Sequence, residues 1–187
     1  MGELIWLILL TSFSVKPIPL QTQKDVPMRR TALLLTLTCM LPAGWTEAAP
    51  ALEPVYEATI DIAPGQALGK GPLGERFKVP ITGGEFHGPG LQGKVLAGGA
   101  DRQLLRADGV KQLDALYDMQ TEDGTVLTVR NQVLVHGSDG GRYAFSTLTI
   151  QAPEGPYAWL NKAVYVGSLT SLKPQREAVL VKVYRVQ

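Results

Sequence analysis

The chain holds one cysteine, Cys39, among its 187 residues. Disulfide frameworks and cysteine-rich zinc sites each need several sulfurs, so both are excluded. Histidine is equally scarce: His87 and His136 are the two present, and a zinc or iron site built on them would lack a third ligand. No metal is expected. Lys+Arg number 18 against 17 Asp+Glu, so there is no positive excess to neutralise a phosphate backbone. Nucleic acid is therefore not an expected partner. The sequence also lacks a Gly-x-Ser-x-Gly elbow, a Gly-rich phosphate loop ending in Lys-Ser or Lys-Thr, and a dinucleotide fingerprint, so no nucleotide or other cofactor is expected. Long stretches of helical period are missing too. What remains is 45% hydrophobic residues with 20 Gly and 13 Pro, enough apolar surface for one core and punctuation for many turns.

The first 50 residues differ from the rest. Met28-Arg29-Arg30 leads into the apolar or hydroxylated run Thr31 to Met40, then Leu41-Pro42-Ala43-Gly44 and Thr46-Glu47-Ala48-Ala49. Basic head, apolar run and small-residue exit in that order predict a secretory signal peptide over 28–48, cut after Ala48. Its apolar part is shorter than the roughly 20 residues that span a bilayer. Upstream, residues 1–27 carry a second apolar run, Leu4 to Leu10, and a polar, Pro-broken stretch from Ser14 to Pro27. Two export signals in series make little physical sense, so 1–27 is read as an over-extended start, with a hydrophobic anchor as the alternative. Cys39 follows Thr36-Leu37-Thr38 rather than small residues, which argues against a lipidated cysteine. Removal of 1–48 leaves a domain over 49–187 with basic and acidic residues equal in number, no thiol and no membrane span. The expected compartment is the periplasm or the exterior of the cell.

From Glu53 onward, short segments of period two alternate with Gly, Pro and Asp-Gly punctuation, the signal of antiparallel hairpins. Tyr56, Ala58, Ile60 and Ile62 share one strand face, and Phe77, Val79 and Ile81 share another. Gln66 to Glu75, with three glycines, reads as a loop. Glu85-Phe86-His87 reads as a short segment bracketed by Gly83-Gly84 and Gly88-Pro89-Gly90. Leu91 to Ala97 and Asp101 to Ala107 are the next candidates. Leu113, Ala115, Tyr117 and Met119 oppose Asp114, Asp118 and Gln120. After the Glu122-Asp123-Gly124 turn, Leu127, Val129, Asn131, Val133 and Val135 align, so an amide sits in an apolar row. Three further strands are expected over about Arg142 to Ile150, Tyr157 to Val166 and Glu177 to Val186. Eight to ten strands joined mostly by short turns predict an all-β domain: a small closed antiparallel barrel, or alternatively a two-sheet sandwich.

A family signature runs through the same residues. Val79-Pro80-Ile81-Thr82-Gly83-Gly84-Glu85-Phe86-His87-Gly88-Pro89 is followed by Gly98-Gly99-Ala100-Asp101-Arg102-Gln103, Arg106-Ala107-Asp108-Gly109, Leu113-Asp114-Ala115 and Thr121-Glu122-Asp123-Gly124. Tyr157-Ala158-Trp159-Leu160-Asn161 and Val181-Lys182-Val183-Tyr184 complete it. Over nearly all of Glu53 to Val186 the chain resembles the domain of unknown function 3237 family, also called uncharacterised protein family 0311. The resemblance implies a calycin-like β-barrel and no assigned activity for most members. Two positions depart from the family pattern: Arg102 stands where a Trp is usual, and Leu116 where a basic residue is usual.

A barrel of about eight strands is filled by its side chains or holds one small ligand, so a site is expected as polar groups on the inward rows. Asn131 either satisfies a neighbouring backbone group or contacts a ligand. Asn161 shares strand parity with Tyr157, Trp159 and Tyr165, an amide among rings that suits an organic ligand with one polar handle or simply packs in a core. Tyr117 offers a phenol. Arg102 either pairs an acidic ligand group or lies at the rim. Glu85 and His87, two residues apart, form a candidate acid/base pair or two solvated rim residues. Asp101 holds a tight turn or, if buried, serves as a general base.

Three functions follow. The first is a barrel that binds a small, partly apolar organic molecule through Tyr117, Asn131, Trp159, Asn161 and Arg102. The second is a cofactor-independent lyase or isomerase using Asp101 or the Glu85/His87 pair. The third is a protein-interaction module, for instance a homodimer formed through an exposed sheet edge.

Overall fold

The structure, a computed structural model, describes residues 49–138 and 140–187. The expected signal segment and the stretch before it lie outside the described residues. Ten strands follow in order: β1 (Leu52–Ile62), β2 (Gln66–Gly71), β3 (Gly74–Gly88), β4 (Leu91–Val95), β5 (Ala100–Leu105), β6 (Lys111–Thr121), β7 (Val126–Ser138), β8 (Gly141–Gln151), β9 (Tyr165–Ser171) and β10 (Ala178–Val186). A 3-10 helix, Ala158–Lys162, precedes β9. None of the helices among the described residues is long and apolar enough to cross a membrane.

Every strand pairing is antiparallel, and β1 closes the sheet by pairing with β10 on one side and β3 on the other. The wall therefore runs β1, β10, β9, β8, β7, β6, then β4 and β5 end to end, then β3 and back to β1. The architecture is a closed barrel with eight strand positions, not a sandwich. β2 extends the wall beyond β1 along the first half of β3.

Alternation sets what fills it. Tyr56, Ala58 and Ile60 from β1, Leu127, Val129 and Val133 from β7, Leu148 and Ile150 from β8, and Val181 and Val183 from β10 point inward and are buried. Each such aliphatic or aromatic side chain contributes about 1.5–3 kcal/mol on burial. One end is covered: Leu160 of the 3-10 helix joins the core there with Phe86 and Leu91. At the other end Ile60, Ile81, Ala144, Leu169 and Ala178 stay buried, and burial fades on β6. Along β6 the inward residues Thr121, Met119 and Tyr117 are buried, whereas Ala115, Leu113 and Lys111 are half-exposed. The barrel thus has an end covered by the 3-10 helix and an opposite end that is open at β6.

Three segments differ from the sequence reading. Gln66 to Glu75 is not a loop; it forms β2 and the start of β3, with a register shift at Ala67/Gly69 where Gly69 adopts a positive φ. Glu85-Phe86-His87 is no isolated segment but the last part of the 15-residue strand β3. Its glycines are there because neighbouring backbone comes close: a Cβ at Gly84 would collide with the Thr59 carbonyl, and one at Gly88 with that of Val55. Finally, Tyr157 to Val166 does not run as one strand, since Ala158–Lys162 coils and β9 begins only at Tyr165.

Candidate functional site

Polar atoms inside a closed barrel must find partners in it or go without. Five side-chain atoms go without: the hydroxyls of Tyr56, Tyr117, Tyr165 and Ser146, and Oδ1 of Asn131, all buried and none in hydrogen-bond geometry with another protein group. The register explains why they gather. Asn131 of β7 lies opposite Ala115 of β6 and Leu148 of β8, and Leu148 lies opposite Tyr165 of β9. The next row toward the open end joins Gln103, Leu113, Val133, Ser146, Gly167, Val183 and Tyr56. These polar side chains therefore occupy adjacent inward rows at mid-barrel.

Their electrostatic setting is uniform. Burial raises the Tyr56 phenol well above its ordinary pKa, and the neighbouring Tyr117 raises it further; burial likewise raises Tyr117 itself. The two hydroxyls act on each other as a hydrogen-bonded pair, Tyr117 raising Tyr56 and Tyr56 lowering Tyr117, although they fall outside strict hydrogen-bond geometry. For Tyr165 burial again raises the pKa, partly offset by the positive charge of Arg185. All three phenols consequently stay protonated. Thr121, Asn131 and Ser146 are the buried polar side chains outside the tyrosines; no charged side chain is buried among the described residues.

Asp101 is the nearest carboxyl. It projects inward from β5, opposite Val79 on one side and Ala115 on the other, in the same row as Asn131. Oδ1 accepts from the Asp114 backbone N–H at 3.1 Å, and Oδ2 from the Gln103 amide at 2.5 Å. Burial raises its pKa above the usual aspartate value, against the lowering effect of those hydrogen bonds and of Lys111. Phe77, Gln103 and Leu113 lie half-buried beside it toward the open end, with the Lys111 ammonium 5.6 Å above the Phe77 ring.

The other residues singled out in the sequence lie elsewhere. Glu85 and His87 face outward and are exposed, because a register shift between Asp61 and Ile62 of β1 skips Thr82 on β3 and reverses the alternation. Phe86 takes the inward place, and Glu85 approaches Arg176 at 3.6 Å. They do not meet Asp101. Trp159 is 38% exposed, with the Arg185 guanidinium 5.9 Å from its ring centroid. Asn161, exposed in the same 3-10 helix, is a backbone clamp: its Nδ2 donates to the Ala152 and Ala158 carbonyls at 2.9 and 3.2 Å, and its Oδ1 accepts from the Ala152 N–H at 3.0 Å. The expected shared face of Tyr157, Trp159, Asn161 and Tyr165 is lost with the strand that was to carry it. Arg102 is exposed on the outer wall opposite Asp114, beside a recess of about 1220 Å3 that the outward-facing Leu134 and Phe145 also border. Its lining also takes in Arg76, Asp114 and the inward-row residues Gln103, Leu113, Val133 and Ser146. Of the expected residues, Tyr117, Asn131 and Asp101 lie on inward rows of the barrel, Asp101 and Asn131 two strands apart. Tyr56, Tyr165 and Ser146 were missed, although the parity of Tyr56 with Ala58 and Ile60, and of Ser146 with Leu148 and Ile150, marks both as inward.

No group of three His, Cys, Asp or Glu side chains comes together as metal ligands would, among the described residues.

Comparison with known proteins agrees with this architecture. A "UPF0311 protein" of Rhodopseudomonas palustris is 40% identical over 84 residues, which are 44% of this chain and 55% of that relative. The chain thus spans about half the length of that curated relative. A "UPF0311 protein" of Clostridium acetobutylicum is 29% identical over 149 residues, 72% of this chain and 92% of the relative. Among solved structures, a β-barrel-like protein of Acinetobacter baumannii superposes with a TM-score of 0.71 at 30% identity, covering 76% of this chain and 99% of that one. The family model described as "Protein of unknown function (DUF3237)" matches residues 50–143 and 140–186, nearly the whole barrel, and the chain belongs to that family.

Proposed function

We propose that this chain is an exported barrel that binds a small, partly apolar organic molecule in its interior, reached through the open end. Five buried polar atoms without partners, gathered at mid-barrel, carry the reading. A buried polar group left unpaired costs on the order of 1–3 kcal/mol, so five in one place favour a guest that pairs with them. Tyr117 and Asn131 remain in the proposed site, joined by Tyr56, Tyr165 and Ser146, while Arg102, Trp159 and Asn161 leave it. Export rests on the basic, apolar and small-residue order of 28–48.

The test is native mass spectrometry of protein expressed from the full-length gene in its own host, compared with the denatured mass. A reproducible extra mass that is lost on denaturation is expected. A bare mass, with no binding from an extract of the same host, overturns the reading.

A second reading has its own observation. Asp101, its pKa raised by burial, shares an inward row with Asn131, so a proton could pass to or from a bound molecule while the amide steadies charge, as in a cofactor-independent lyase or isomerase. Conversion of the bound compound by the protein, abolished in Asp101→Asn, is the expected result; unchanged conversion in that variant excludes Asp101 as the base.

A further inference from the structure

The outer wall of the barrel is not uniform. Outward positions on β1, β4, β6 and β10 carry Glu57, Lys94, Asp118 and Lys182, as a solvated surface does. On β8 from Tyr143 to Gln151, and on β9 from Val166 to Thr170, every outward side chain is uncharged. Leu134 of β7 lies opposite Phe145 of β8, and both stand in solvent, 44% and 54% exposed. Tyr143 ties this cluster together: its ring stacks on His136 at 4.6 Å and meets the Phe145 ring edge-on at 5.0 Å. Three rings and a leucine in a charge-free surround have the composition of an interface core.

We infer that this outer face, centred on Leu134 and Phe145, joins a second copy of the chain in a two-fold dimer. The inference is independent of what the interior binds. Charge decides the occupant. A two-fold contact sets each patch against itself, so a patch of one sign would repel its copy, whereas an uncharged patch does not. A charged partner would find no counter-charge on β8 or β9. At the margins the charges are already paired within the chain: Asp114 accepts from Arg130 at 2.9 and 2.7 Å, and the Lys182 ammonium lies 2.8 Å from Glu57.

Size and shape agree with a second copy. Four strands, β6 to β9, about 4.8 Å apart and about 30 Å long, present roughly 600 Å2 in plan, the lower bound per partner for a stable dimer. The recess on this face needs a protrusion to fill it, and Leu73 is one, 76% exposed on the turn between β2 and β3 at the recess margin. Two-fold symmetry lets each copy place its Leu73 in the recess of the other. The free edge of β2 is a poorer contact: it is six residues long, carries Lys70 and has a register shift at Gly69.

Sedimentation velocity of the full-length protein, from low to high micromolar concentration, tests the inference. A species of twice the chain mass is expected. Leu134→Glu and Phe145→Glu should each raise the dimer dissociation constant at least about 30-fold, as loss of a central anchor does. Leu73→Ser should weaken the dimer as well. Gln92→Glu, an exposed change on β4, should leave it unaltered. Circular dichroism identifies the variants that fold, and those carry the result. A monomer at every concentration overturns the inference, as does a dimer that survives both glutamate substitutions or is lost equally in Gln92→Glu. Flotation of a monomer with phosphatidylcholine vesicles would assign the face to lipid and overturn it too.

Discussion

Asp101 and Asn131 stand in one inward row of the barrel with Ala115 alone between them, Asp101 opposite Ala115 on β5 and β6 and Ala115 opposite Asn131 on β6 and β7. Two strand spacings separate their backbones by about 10 Å, and the residue between them contributes a single methyl. A carboxyl and an amide therefore face the same part of the interior, where Ala115 leaves only its methyl between them. Ala115→Leu should fill that space. Overpacking of this kind costs about 1–3 kcal/mol, and denaturant unfolding should place the variant in that range. The bound mass seen for the parent protein should vanish at the same time.

Asn131→Leu separates ligand contact from stability. The Oδ1 atom has no protein partner, so the empty barrel loses no internal hydrogen bond at that atom when the amide is replaced by an apolar side chain of similar size. The stability of the unliganded protein should change by less than about 1 kcal/mol or increase. Ligand binding should weaken by about 10-fold or more, as for loss of one well-placed hydrogen bond and the orientation it gives. A destabilisation of several kcal/mol in the empty protein would mean instead that the amide serves the fold.

Asp101 gives a pH dependence of defined sign. Burial raises its pKa in the folded protein above the unfolded value, so between the two values the folded state binds more protons than the unfolded one. Stability therefore falls as pH rises through that window, which starts at the ordinary aspartate pKa, and the loss is complete above the folded pKa. Asp101→Asn removes this contribution. Urea midpoints measured from pH 3 to pH 7 should decline less for the variant than for the parent, and parallel curves would place the carboxyl in a solvent-like setting.

The rows on β6 and β7 were legible because their alternation is unbroken from Leu113 to Met119 and from Leu127 to Val135, so Tyr117 and Asn131 could be assigned inward places from spacing alone. The outward turn of Glu85 and His87 was not. Counting by twos from Phe77, Val79 and Ile81 would bring both inside, but one residue, Thr82, drops out of the β1–β3 register and inverts everything after it. Parity also failed from Tyr157 to Tyr165, where five residues coil before β9 starts. Tyr165 and Tyr56 were harder to recognise as polar groups, because a tyrosine in a strand pattern reads first as an apolar ring. Their unpaired hydroxyls follow from closure of the barrel, a property of all the strands together.

Asn161→Ala tests the clamp at the covered end. Three hydrogen bonds tie its side chain to the Ala152 and Ala158 backbone, which holds the segment between β8 and β9 against the core where Leu160 is buried. The site is exposed, so water replaces part of what is lost, and the expected destabilisation is about 1–2 kcal/mol. Ligand binding should be unaffected, because Asn161 lies outside the barrel interior. A loss of binding at unchanged stability would return the residue to the site.

Gly84→Ala tests closure of the wall itself. Gly84 lies opposite Ile60 in the pairing that joins β3 to β1, at φ 137, a conformation L-residues rarely adopt. An added methyl would also strike the Thr59 carbonyl, which is backbone and has no rotamer to yield. Strain and collision act together, so the substitution should cost more than about 3 kcal/mol, beyond what a surface or single-contact change produces. Gly90→Ala is the comparison: its φ is also positive, at 65, but nothing lies within 4 Å of the added carbon. That variant should lose only about 1 kcal/mol, the backbone contribution by itself. Hydrogen exchange locates the damage, with protection lost first along Glu57 to Asp61 and their partners Gly83 to His87. Equal losses in the two variants would mean that backbone conformation alone, and not the close approach of β1 to β3, makes glycine necessary at this seam.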